Sequence, residues 1–324
     1  MTSIQIEEKW LSVDYSGPSE FEFKRLDADC RSELNIGLNL KFDRCLILEL
    51  PRGVDAEIQS LTMENLTLSY YNETNYIVVQ LLDSSYNDLF NDLILSIYQH
   101  IHLLSSPSEY IQAFIHTFHK WTGFFDTRKA GKLQPDELKG IFGELLFLRD
   151  LLSTTGALKF NEILSSWRGP YGQSKDFVTN MKDTEVKTID TIKNDIAISS
   201  EYQLEPEPGK TIELAVVAVE ADFLNGISLK TLVSDLKNLI IEKQGDTTIL
   251  FEALFQKGLS VRNLFEYDNF RFRPLSLTVY DCCRKDFPKI SRSTLVPEIF
   301  QVSFHLRLSL LNDFILHEKA LVWK

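Results

Sequence analysis

Asp176-Phe177-Val178, a short polar turn, and then Glu185-Val186-Lys187-Thr188 decide how this chain is read. Both segments have the character of short strands, and the turn between them folds one back on the other. Side chains on a strand alternate faces, so Glu185 and Lys187 point one way and Val186 and Thr188 the other. If Asp176 lies across this hairpin, its carboxylate sits beside that of Glu185. Two carboxylates, with phosphate oxygens and waters completing the shell, suit a Mg²⁺ or Mn²⁺ ion. Such an ion polarises a phosphoryl group and helps generate hydroxide from bound water. Lys187 beside it can position that water and offset the negative charge of the transition state. Glu-x-Lys alone would carry little, because alternating charges are common on the wet side of a strand.

What adds weight is the order of elements around the hairpin. Upstream, Gln134-Pro135-Asp136-Glu137 places proline and two acids where a helix begins. Leu138, Ile141, Phe142, Leu145, Leu148, Leu151 and Leu152 then keep helical spacing to about Ser153. Glu144 falls inside this apolar face. Gly140 and Gly143 lie one turn apart beside it, and a helix-interior glycine costs roughly 1 kcal/mol relative to alanine. Together they predict a close approach of helix to sheet. Downstream, short strands are expected near 194–199 and at Ile212–Val219, followed by helices at about 228–242 and 246–257.

An acid on a helix, an acid on a strand, a hairpin and Glu-x-Lys on the next strand resemble the PD-(D/E)XK nuclease superfamily. The runs Gly140-Ile141-Phe142-Gly143-Glu144-Leu145, Trp167-Arg168-Gly169-Pro170, Asp176-Phe177, Glu185-Val186-Lys187-Thr188 and Ile198-Ser199-Ser200-Glu201-Tyr202-Gln203-Leu204 are similar to bacterial PD-(D/E)XK motif proteins. Those are often encoded among restriction or phage-defence genes. The resemblance implies an α/β fold with a restriction-endonuclease-like αβββαβ core. It implies Asp176 and Glu185 as metal ligands, Lys187 as the catalytic lysine, and Glu144 as a helix acid that reaches the metal directly or through water. Gln203 matches a polar residue that lines the site. The implied cofactor is Mg²⁺ or Mn²⁺ and the implied substrate DNA, with RNA left open. In this sequence Lys175, not proline, precedes Asp176. Only eight residues separate Asp176 from Glu185, which leaves little room for inserted specificity elements.

Working outward, residues 1–130 are expected to form a β-rich and helical N-terminal domain, 131–260 the core, and 261–324 a C-terminal strand segment packing on it. Ile36, Leu38, Leu40 and Phe42 alternate as on a half-buried strand, and Leu66–Tyr70 and Tyr76–Val79 flank a hairpin break. Two amphipathic helices follow, one carrying Leu89 to Ile101 and one from Ser106 to about Phe125. The polar stretch Asp126–Lys132 marks the boundary.

Net charge is −12 over 324 residues. That disfavours a protein that coats nucleic acid nonspecifically, but a local basic groove can coexist with an acidic exterior. Residues 271–292 carry Arg271, Arg273, Arg284, Lys285, Lys289 and Arg292 against Asp281 and Asp286. They form the leading candidate for phosphate contacts, with Arg284, Lys285 and Lys289 foremost. Trp167 and Arg168, in the loop before the hairpin, are candidates to stack on or hold bases, with packing of the tryptophan against the first core helix an equal expectation. His116 and His119 share a helix face but have no evident third ligand. Four cysteines without a Cys-x-x-Cys pair point to free thiols in a reducing cytoplasm. No apolar run reaches about eighteen residues, and the first residues lack the pattern of a signal peptide.

No Walker-type loop is present, so an ATPase or other defence-system partner would be a separate polypeptide. Double-strand cutting with one site per chain would favour a homodimer. The competing expectation is a catalytically silent subunit that keeps the nuclease fold for binding or assembly.

Overall fold

A computed structural model describes residues 1–14, 17, 19–54, 56, 58–125, 132–260 and 263–323. The chain divides into two compact units, Met1–Lys129 and Ala130–Lys324. Of the polar stretch read as a boundary, residues 126–131 lie outside the described ones. Among the described residues no helix is long and apolar enough to cross a membrane.

The first unit opens with a helix, not a strand. In α1 (Ser3–Trp10), Thr2 and Gln5 form a reciprocal capping box, a local signal that outweighs the β-rich composition around it. Six antiparallel strands follow: β1 (Phe21–Arg25), β2 (Glu33–Asn39), β3 (Arg44–Glu49), β4 (Leu61–Thr62), β5 (Leu66–Tyr71) and β6 (Tyr76–Leu81). Their order is β1-β2-β3-β6-β5-β4. The alternation read to Phe42 stops at Asn39. Phe42 turns the chain at φ 64° and is 67% exposed, so the strand ends in a tight reversal. Helices α2 (Asn87–Ile101) and α3 (Pro107–Trp121) complete the unit. The Trp10 indole donates to Asn91 at 2.7 Å, and Arg44 pairs with Glu7 at 2.7 Å, tying α1 to α2 and β3. His116 and His119 are exposed on α3.

The second unit contains α4 (Pro135–Thr154), α5 (Phe160–Ser166), β7 (Phe177–Val178), β8 (Lys182–Asp190), β9 (Asp195–Ile198), β10 (Thr211–Ala221), β11 (Ile227–Ser228), α6 (Leu229–Glu242), α7 (Thr247–Gln256), β12 (Arg271–Asp281), β13 (Phe304–Arg307) and β14 (Ile315–Ala320). It is a mixed α/β structure. The sheet runs β11-β12-β10-β8-β7, with β14 also paired to β12. β8 and β10 are parallel and the other pairs antiparallel. β10 is buried along most of its length, which explains its nearly continuous apolar run. β9 leaves this sheet and pairs with β13 instead, because Ile196 and Ile198 join a cluster with Leu214, Val216, Leu306 and Phe314.

α4 packs across β8 and β10. Only one of its two glycines serves that approach. A Cβ on Gly140 would meet nothing within 4 Å, whereas one on Gly143 would lie 1.9 Å from Thr188 Oγ1 and 2.9 Å from Thr188 Cβ. Gly143→Ala therefore tests packing against propensity. Helix propensity favours alanine by about 1 kcal/mol, yet forcing helix from strand costs about 1–3 kcal/mol. The expected result is net destabilisation, read as faster hydrogen exchange of β8 amides. Slower exchange would mean that α4 shifts freely over Thr188.

Candidate active site

The hairpin register sets the centre of the site. Phe177 pairs with Thr184 and Val178 with Asp183, so the ladder extends to place Asp176 opposite Glu185. Asp176 Oδ2 accepts the Val186 amide at 2.8 Å, which turns its other oxygen outward. Just upstream, the amides of Arg168 and Gly169 both donate to the Asp176 carbonyl, at 2.7 and 3.0 Å. Gly169 thereby comes to lie against the carboxylates. A Cβ there would stand 2.7 Å from Asp176 Oδ1 and 3.0 Å from Glu144 Oε2, so acids from helix and hairpin converge on one point.

Glu144 reaches this point from α4 and is 8% exposed. Its Oε2 accepts the Trp167 indole N–H at 2.7 Å. Trp167 is 1% exposed, so it holds an acid in place and cannot stack on a base. Of the two expectations for Trp167, packing against α4 is the one the structure shows, and nucleic-acid contact is corrected because the side chain is buried against Glu144. Arg168 is exposed, with its guanidinium over the Tyr171 ring at 5.2 Å.

Lys187 lies on the same face of β8 as Glu185 and bonds its Oε1 at 2.8 Å. It also donates to Gln203 Oε1 at 3.3 Å, and that oxygen accepts the Ser199 amide at 2.7 Å. Gln203 thus fixes the lysine from the turn after β9. The sequence reading passed over Lys257, which follows α7 and stands 3.8 Å from Glu144 Oε1. Its signal was a Lys-Gly pair at a helix end, which is too common to single out.

The basic residues of 271–292 are mostly occupied within the chain. Arg284 pairs with Asp286 at 2.6 Å, Lys289 donates to the Cys282 carbonyl at 2.7 Å, and Arg292 donates to the Ile299 carbonyl at 2.5 Å. Arg273 is paired with Glu220, and Arg271 donates to the Asp268 carbonyl at 3.1 Å. Lys285 is exposed.

Electrostatics mark the cluster as short of positive charge. Burial pushes Glu185 up to about 8, Asp176 adds to the rise, and Lys187 opposes it. Burial likewise raises Glu144 to about 7, aided by Asp176 and opposed by Lys257, Trp167 and Lys187. Asp176 is also raised by burial, against the Val186 amide and both lysines. Glu185 Oε2 is buried and has no hydrogen-bond partner among the described residues. An orphaned carboxylate oxygen among acids that resist ionisation fits a bound cation. Among the described residues no group of three or more histidine, cysteine, aspartate or glutamate side chains is arranged to hold a metal ion. The donors fit an open site in which one or two carboxylates hold Mg²⁺ and substrate completes the shell.

The sign of the pH effect follows. An unfolded carboxyl titrates near 4, so across about pH 5–8 the folded state binds more protons than the unfolded state. This contribution to stability is fully present below that window and is lost as pH rises through it. The thermal stability of the metal-free protein should fall from pH 5.5 to 8.5, and Mn²⁺ should restore most of it at pH 8.5. Glu185→Gln should flatten the profile. A stability that rises across this range, unaffected by Mn²⁺, would contradict the assignment.

A family model described as "Putative PD-(D/E)XK family member, (DUF4420)" matches residues 6–309. No curated protein and no solved structure matches the chain.

Proposed function

The chain belongs to this PD-(D/E)XK family, and from that premise we propose that it is a divalent-metal-dependent nuclease hydrolysing DNA phosphodiester bonds. The observation that carries the reading is the approach of Asp176 Oδ1 and Glu144 Oε2 to one point at Gly169, on a hairpin that sets Asp176 opposite Glu185, with Lys187 bonded to Glu185 at 2.8 Å. Asp176 and Glu185 would hold Mg²⁺ or Mn²⁺, with Glu144 as third acid. The ion supplies Lewis-acid polarisation of the phosphoryl group and a more acidic water.

The protein's own groups do the rest. In hydrolysis a water oxygen bonds to phosphorus, one ester P–O bond breaks, and the water proton ends on the departing alkoxide or in solvent. Lys187, held by Glu185 and Gln203, points a fixed ammonium at the charge that develops on the phosphoryl oxygens. The Trp167 indole and the Val186 amide keep the Glu144 and Asp176 carboxylates from rotating away. Such prior fixing avoids reorganisation during reaction.

A place in restriction or phage defence, in the cytoplasm, accords with the family likeness, and cutting both strands would call for a homodimer or a partner protein. The test is cleavage of supercoiled plasmid by the folded full chain with Mg²⁺ or Mn²⁺. Nicking or linearisation that needs the ion supports the reading. Absence of both cleavage and Mn²⁺ binding by calorimetry would favour a catalytically silent subunit that binds or assembles.

A further inference from the structure

Lys257 sits at the acidic cluster by construction of the backbone. α7 ends at Gln256 because Gly258 adopts a left-handed φ of 76°. The Leu259 amide then closes onto the Leu254 carbonyl at 2.9 Å, a common helix stop. Asn263 locks the turn, its side-chain amide donating to the Gly258 carbonyl at 2.9 Å. The Lys257 side chain is 28% exposed, so its ammonium faces both the cluster and solvent.

The two lysines of the site differ in what their donors already hold. Lys187 bonds Glu185 and Gln203. The Lys257 ammonium stands 3.8 Å from Glu144, close enough for attraction but beyond a hydrogen bond, and donates no hydrogen bond among the described residues. A lysine serving only to neutralise Glu144 would close that distance and spend a donor. Lys257 instead keeps all three donors at the solvent side of a site whose incoming ligand is an anion.

We propose that Lys257 is a second phosphate contact of the site beside Lys187, donating to a non-bridging oxygen of the nucleic-acid backbone. The proposal rests on the nuclease reading above. It gives an acidic chain a second, unspent cation at the substrate phosphate, whereas the arginines of 271–292 are largely paired elsewhere.

The experiment is binding of a fluorescent DNA duplex by the full chain in Ca²⁺, with the oligonucleotide checked intact afterwards. Affinity is followed from about 50 to 200 mM KCl for wild type, Lys257→Met and Lys257→Arg, where each phosphate contact contributes roughly 0.9 to the slope of log K against log salt. Lys257→Met should bind more weakly, with a slope shallower by about that amount, and Lys257→Arg should restore it. Calorimetry without DNA should show Ca²⁺ binding undiminished in Lys257→Met, separating phosphate contact from metal binding. An unchanged slope in Lys257→Met, with wild type binding normally, overturns the role of Lys257 and leaves the nuclease reading intact. Wild type that binds neither DNA nor RNA, duplex or single-stranded, overturns both. A slope change seen with RNA alone supports Lys257 and moves the substrate class.

Discussion

Asp176→Ala and Lys187→Ala are each expected to lower plasmid cleavage by on the order of a thousandfold, while leaving the fold intact. The two losses have different causes. Asp176 supplies the carboxylate whose Oδ1 turns to the point shared with Glu144, while its Oδ2 is spent on the Val186 amide. Its removal halves the pair available to hold a divalent ion. Lys187 removal strips Glu185 of a neutralising bond, leaving a carboxyl already raised to about 8 with less reason to ionise. The site then loses both the ammonium at the transition state and part of its affinity for metal. Lys187→Arg should recover little, because a planar fork cannot reproduce a point charge held between Glu185 and Gln203. Near-UV circular dichroism of each variant guards against unfolding. Retention of cleavage within tenfold in both alanine variants would remove these residues from the chemistry.

Much of this site was legible because its information is local. Strand alternation put Glu185 and Lys187 on one face, and a turn of fixed length put Asp176 opposite Glu185. The helix bearing Glu144 was legible from its proline, first-turn acids and apolar spacing, all of which the structure uses. What depended on long-range contacts was not. Gly140 and Gly143 look alike in sequence, and only packing against Thr188 tells them apart. Trp167 read equally as a base-stacking or a packing aromatic, because nothing local shows that its indole is bonded to Glu144, twenty-three positions earlier. β9 resembled a core strand but pairs with β13, more than a hundred residues later, since its apolar face fits the C-terminal cluster. The first helix was missed for a different reason. Its capping box is local, but a short polar segment gives too little apolar periodicity to announce it.

Lys175 stands where a proline is ordinary in the family motif, and its surroundings predict the second large effect. Its side chain is 6% exposed, 3.8 Å from Asp183 and 3.9 Å from Glu207. Asp183 is fully buried. Its Oδ1 also meets Lys210 at 3.2 Å, and Lys210 meets Glu207 at 2.8 Å. Four alternating charges therefore join the residue before Asp176 to β8 and to the start of β10. Asp183→Ala leaves the Lys175 ammonium buried, with only the half-exposed Glu207 near it. Breaking a buried pair on one side costs about 3–5 kcal/mol, and partial exposure of Lys210 and Glu207 places the expected loss near the low end. The double variant Lys175→Met with Asp183→Leu should regain most of this, because apolar residues of similar volume often replace a buried pair without loss. Lys210 would keep Glu207. Hydrogen exchange of β8 and β10 amides in the full chain measures both, and a loss below about 1 kcal/mol in Asp183→Ala would show that the charges are not coupled. Cleavage by the double variant then separates two roles. If stability returns and activity does not, the charges set the position of Asp176 itself; if both return, packing around Lys175 is sufficient to hold the hairpin in register.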